Sequence, residues 1–276
     1  MRYIFRCTIL TVIVSLGASV PSQGQTVPND DPDLALQLAQ PDFTLVALPT
    51  TLRVPRHKGA FRVTHRFTRE LGNGDFGDLA SDLFGLDNGA QIGLEYRFGL
   101  FSGTQIGFHR TSDRTTEFFA QHEVKAQSES FPFTISAFAS IDGTNNFRDS
   151  YSPALGAVVS RTIAQHVAFY LEPIWVNNSN ILPSALVDNN DAMLLGLGTR
   201  LRVRPTVYIV IEGTPRIAGD KPNVTQIGVG LEKRAGGHTF QLNFSNGFGT
   251  TLGQVARGGT GRSDWYMGFN ISRKFF

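Results

Sequence analysis

The chain has 276 residues, 41% of them hydrophobic and 17% charged, with a formal net charge of +2. That balance is too apolar for a disordered chain and too nearly neutral for a nucleic-acid binder, and the length suits one folded domain. Glycine (29) and phenylalanine (22) are abundant, as in repeated β-hairpins with aromatic strands.

Residues 1–24 place Arg2 and Arg6 ahead of an apolar stretch from Ile9 to Val20, followed by Ser22 and Gly24. This is the layout of a secretory signal peptide, and the run, broken by Thr11, Ser15 and Gly17, is too short for a transmembrane anchor. The single cysteine, Cys7, falls inside it, so a mature chain is expected to lack disulfides, thiol nucleophiles and cysteine metal sites. In residues 25–58, Pro41, Pro49 and Pro55 interrupt any long strand. This stretch is expected to be a periplasmic lead-in or plug segment.

From Phe61 the pattern turns to period two, which predicts strands through residues 59–276. Taking every second residue yields one apolar set per segment, such as Ile92, Leu94, Tyr96 and Phe98, or Phe240, Leu242 and Phe244. The opposite face carries Arg62, Arg66, Glu95, Arg97, Glu123, Glu172, Arg200, Glu212, Glu232, Gln241, Asn243 and Asn270. A soluble barrel would show the same alternation inverted, so loop lengths decide. Long connections rich in Gly, Asn, Asp and Pro, such as 71–89, 142–152, 177–191, 213–223 and 246–264, alternate with brief ones, such as 99–103, 162–166, 204–206 and 234–237. That alternation predicts an all-β fold: a closed antiparallel transmembrane β-barrel of about twelve strands in the outer membrane, both termini periplasmic. Pro173 falls in mid-segment and is expected to need a bulge.

The stretches GGHTFQLNFSN at 236–246 and GFNISRKF at 268–275, with HRF at 65–67 and YRFGL at 96–100, resemble a family of bacterial outer-membrane β-barrel proteins known only as a domain of unknown function. The resemblance covers roughly residues 43–276. It implies the fold and the location and carries no catalytic or binding residue across. Outer-membrane proteins of this general kind end in an aromatic residue read by the barrel-assembly machinery, which the strand ending at Phe276 would supply, although Phe276 is one position out of the lipid-facing phase.

No catalytic, cofactor or metal site is expected. The six histidines show no close ligand spacing, and the glycine runs at 72–74 and 258–261 do not open helices after strands. The candidate lumen-lining residues are Arg62, Arg66, Glu95, Arg97, Glu123, Glu172, Arg200, Arg202, Glu212 and Glu232. They make a passive pore for small solutes the leading expectation, with 71–89 and 246–264 as the loops able to fold inward. The alternative is a non-conducting structural or docking barrel closed by Arg to Glu pairs and by Phe138, Tyr170 and Tyr208. A lipid-active enzyme is a third and lesser reading. Basic residues gather at the short-turn end and aspartates in the long loops. This suits contact with outer-membrane lipid and lipopolysaccharide, or an acidic periplasmic partner at the basic end.

Overall fold

The computed structural model describes residues 36–179, 190–219 and 224–276. The expected signal peptide and the first part of the lead-in lie outside the described residues.

Thirteen strands are seen among them: β1 (Gly59–Glu70), β2 (Ala90–Phe101), β3 (Thr104–Thr111), β4 (Thr116–Lys125), β5 (Thr134–Gly143), β6 (Asp149–Ile163), β7 (Val167–Val176), β8 (Ala192–Arg204), β9 (Val207–Gly213), β10 (Arg216–Gly219), β11 (Ile227–Ala235), β12 (His238–Ser245) and β13 (Tyr266–Lys274). Neighbours pair antiparallel, β9 pairs with both β8 and β11, and β1 pairs with β13, so twelve strands close into a ring. Closure leaves no sheet edge to be exposed in lipid.

The additional strand, β10, lies within the connection expected at 213–223. Pro215 cannot donate to a ladder, but its carbonyl accepts from Leu195 N at 2.9 Å, so β9 stops and β10 resumes pairing on the first residues of β8. Pro173 is accommodated without the expected bulge. Pairing of β6 with β7 lapses between Gly156↔Ile174 and Val159↔Leu171 and returns in the same register, while the β8 side continues through Pro173↔Leu195.

The period-two pattern becomes the two faces of the wall. Leu94, Phe118, Phe169, Leu171, Leu231 and Leu242 point outward and are about half exposed, an apolar band that a soluble monomer would not leave in water. Phe67 shares their phase but is buried, because the turn at 83–88 lies over it: a Cβ on Gly85 would approach Phe67 Cβ to 3.3 Å. The short connections lie at the end where β1 begins and β13 stops, with Phe275 N donating to Gly59 O at 2.9 Å.

Candidate functional site

Inside the ring runs the segment 38–55. Its sequence has no strand periodicity, so its backbone groups cannot find a ladder, yet a buried peptide group without a partner is costly. The segment makes two backbone-to-backbone hydrogen bonds with itself, Leu45 N to Leu48 O and Thr50 N to Phe43 O, both 2.8 Å. These fold residues 43–50 into a narrow turn whose tip includes Val46 and Ala47. Many of its other backbone groups are met by the inward side chains of the wall.

Glu212 on β9 accepts three successive N–H groups, from Val46 and Ala47 at 2.9 Å and Leu48 at 3.1 Å. Carbonyls are taken by donors, most of them from other strands. Arg200 Nη2 donates to Thr44 O at 2.5 Å, Gln241 Nε2 to Leu45 O at 3.0 Å, and Asn270 Nδ2 to Val46 O at 3.0 Å. Gln121 Nε2 reaches Thr50 O at 2.8 Å and Tyr208 OH reaches Leu38 O at 2.9 Å. Gln105 serves both polarities, donating to Leu52 O and accepting from Val54 N, each at 3.2 Å. The wall also makes room: a Cβ on Gly198 would stand 2.2 Å from Leu45 Cδ1, and one on Gly99 would stand 2.1 Å from Pro55 O.

The ten candidate residues fall into distinct settings. Arg62 Nη2 donates to Glu95 at 2.5 Å and its Nη1 to Thr44 Oγ1 at 2.6 Å. Arg97 pairs with the other oxygen of Glu95 and lies over the Phe119 ring at 4.5 Å and the Phe43 ring at 5.6 Å. Arg200 and Glu232, both fully buried, pair at 2.7 Å. Arg66 bonds to Asn270 Oδ1 at 2.9 Å and to Val46 O at 3.2 Å. Glu123 pairs with Arg53 of the inner segment at 2.9 Å. Glu172 is buried opposite Gly196 with no hydrogen-bond partner among the described residues. Arg202 turns onto Pro205 O at the short-turn end, at 3.1 and 3.2 Å. Nine of the ten therefore meet the inner segment, each other or the packed interior, and Arg202 caps a turn.

The opposite end of the interior receives part of the long connection between β12 and β13. The short helix Leu252–Ala256 is buried along its length and carries a capping box in which Thr251 accepts from Gln254 N. Three carboxyl side chains of the wall and its loops hold it. Asp142 accepts from Thr251 Oγ1 at 2.7 Å, Glu117 from Leu252 N at 3.2 Å, and Asp113 from Gln254 Nε2 at 2.9 Å. Leu252 and Ala256 belong to the same apolar cluster as Leu45, Leu48, Phe138, Tyr170 and Leu194. The other candidate loop, 71–89, stays outside, with the helix Phe76–Ser81 carrying no buried residue.

Sequence reasoning assigned no site role to Gln105, Gln121, Gln241 and Asn270, which bond to the segment's backbone beside the charged residues. A signal was present: amide side chains recur on the inward phase of β3, β4, β12 and β13, and an amide can satisfy either a carbonyl or an N–H. Among the described residues no group of three or more His, Cys, Asp or Glu is arranged to hold a metal ion.

Comparison with known proteins agrees with this architecture. A family model described as a membrane bound beta barrel domain (DUF5777) matches residues 42–275. A search of curated protein sequences finds no match. Among solved structures, the KdgM porin in complex with disordered oligogalacturonate is 10% identical, with TM-score 0.51, over 79% of this chain and 99% of the porin. The NanC porin is 7% identical, with TM-score 0.52, over the same shares. The outer membrane phospholipase A from Escherichia coli is 9% identical, with TM-score 0.48, over 87% of this chain and 98% of the enzyme. For the two porins the likeness, at such identities, is one of fold. The chain is an outer-membrane β-barrel with the architecture that porins use.

Proposed function

The chain belongs to the membrane bound beta barrel domain family DUF5777, and from that premise we propose that it is a channel barrel shut at rest by its own N-terminal segment. Small solutes would pass only when residues 38–55 leave the interior. The observation that carries this reading is the seating of the 45–48 turn on Glu212, Gln241 and Asn270. A polar wall whose side chains bond to a removable segment can bond to water or solute once that segment is gone.

A second reading has its own support. Phe138, Tyr170 and Tyr208 are buried in the interior, as are the Arg200 to Glu232 and Arg62 to Glu95 pairs, and such packing also suits a barrel that never conducts and serves as a structural or docking platform. Conductance of the refolded protein in a planar bilayer, with and without residues 36–55, separates the two. The shut channel predicts a silent whole chain and discrete conductance steps after deletion. Steady conductance by the whole chain would remove the plug reading; a correctly folded deletion variant that stays silent would favour the platform.

A further inference from the structure

The lipid-facing wall is not smooth. Across β2 to β7 runs an apolar groove of about 830 Å³. Register sets its depth: Ile106, Ala120, Ala139 and Leu155 stand side by side on successive strands, so two alanines form a floor between larger neighbours. Phe118 and Trp175 are among the side chains that rim it.

Three arginines gather at its long-loop end. Arg110 lies two residues beyond Phe108 on the same face of β3, and Arg114 and Arg148 are exposed in the adjoining connections 112–115 and 144–148. The two connections are tied together, with Arg110 Nη2 donating to Asn146 Oδ1 at 2.5 Å and Asn146 N donating to Arg114 O at 2.8 Å. Phe147 stands edge-on to Phe118 with ring centroids 5.2 Å apart, which holds the second connection beside the top of the groove. The nearby acids are engaged elsewhere: Asp113 accepts from Gln254 and Thr111, and Asp149 from Asn145. None of the three arginines has a carboxylate partner among the described residues.

We propose that this groove and Arg110, Arg114 and Arg148 form a binding site for the lipid A portion of lipopolysaccharide, with acyl chains in the groove and phosphates on the arginines. Guanidinium forks match phosphate oxygens, and an apolar groove beside them holds chains in register with the headgroup. A glycerophospholipid such as phosphatidylglycerol offers one phosphate and two chains. Lipid A offers two phosphates and several chains, which suits three cations and a groove several strands wide. The inference rests on the long-loop end facing the cell exterior, where the outer leaflet contains this lipid.

The test is native mass spectrometry of the refolded whole chain titrated with bisphosphorylated lipid A, its dephosphorylated form and phosphatidylglycerol. The site predicts preference for bisphosphorylated lipid A. At about fivefold for each arginine near a charged lipid surface, R110A/R114A/R148A should weaken binding about a hundredfold. Ala139→Phe, which fills the groove while keeping the arginines, should weaken it as well. Equal binding of phosphatidylglycerol, or wild-type affinity in the triple variant, would overturn the site. Labelling of Ser112→Cys on intact cells with an impermeant maleimide reads the orientation separately; no labelling would overturn the assignment to the outer leaflet whatever the affinities show.

Discussion

The two pieces of chain inside the barrel are held by opposite strategies. The helix Leu252–Ala256 satisfies part of its own backbone, so the wall needs only to receive its N-terminal end, and it does so with acceptors: Glu117, Asp142 and Asp113. Segment 38–55 makes few internal backbone bonds, so the wall supplies acceptors and donors of both charge types and several amides. The contrast teaches that the first piece depends mainly on its own cap and the second mainly on the wall. A wall substitution should therefore disturb residues 38–55 more than residues 252–256.

The largest effect is expected for Arg200→Ala. It would leave Glu232 buried without its cation and Thr44 O without a donor, a loss of about 3–5 kcal/mol. The temperature at which the barrel loses its compact gel mobility should fall clearly below wild type; an unchanged midpoint would mean the interior is wet enough to solvate Glu232. Glu212→Ala comes next. It orphans three N–H groups and should destabilise the seated segment by roughly 3 kcal/mol or more. Hydrogen exchange at residues 46–48 should then quicken while exchange at 252–256 does not, and equal quickening in both would contradict the contrast.

Gly99→Ala should have a smaller effect, about 1–3 kcal/mol, because the new methyl would meet the backbone of Pro55 and displace that part of the segment. Protease cleavage near residues 53–58 is the measurement, and a cleavage rate matching wild type would show that the close approach is not maintained in the membrane. Thr251→Ala should be smallest, about 1 kcal/mol, from loss of the helix cap and the hydroxyl bond to Asp142. It should quicken exchange at 252–256 and leave 46–48 unchanged. A response at 46–48 would show that the two pieces are coupled through the apolar cluster they share.

Alternation and loop lengths made the barrel legible in the sequence. Inward Arg62, Glu95, Arg200 and Glu232 could be distinguished from outward Leu94 and Phe118 because a strand reverses its side-chain direction at every residue. Strand ends were less legible where a proline divides β9 from β10, since pairing there depends on a carbonyl, which every residue carries.

What the sequence by itself determined is the two-faced wall, because period two is a local property that needs no partner to be named; closure follows once that wall is read as lipid-facing, since lipid leaves no edge unpaired. Only the tertiary structure decided that the inward charges meet a segment of the same chain. Residues 38–55 have no periodicity, and the groups they present to the wall are mostly backbone N–H and C=O, identical at nearly every position. Which of them meets Glu212 or Arg200 is fixed by where the turn 43–50 sits in space, and that position is set jointly by side chains more than a hundred residues away from the turn in the sequence.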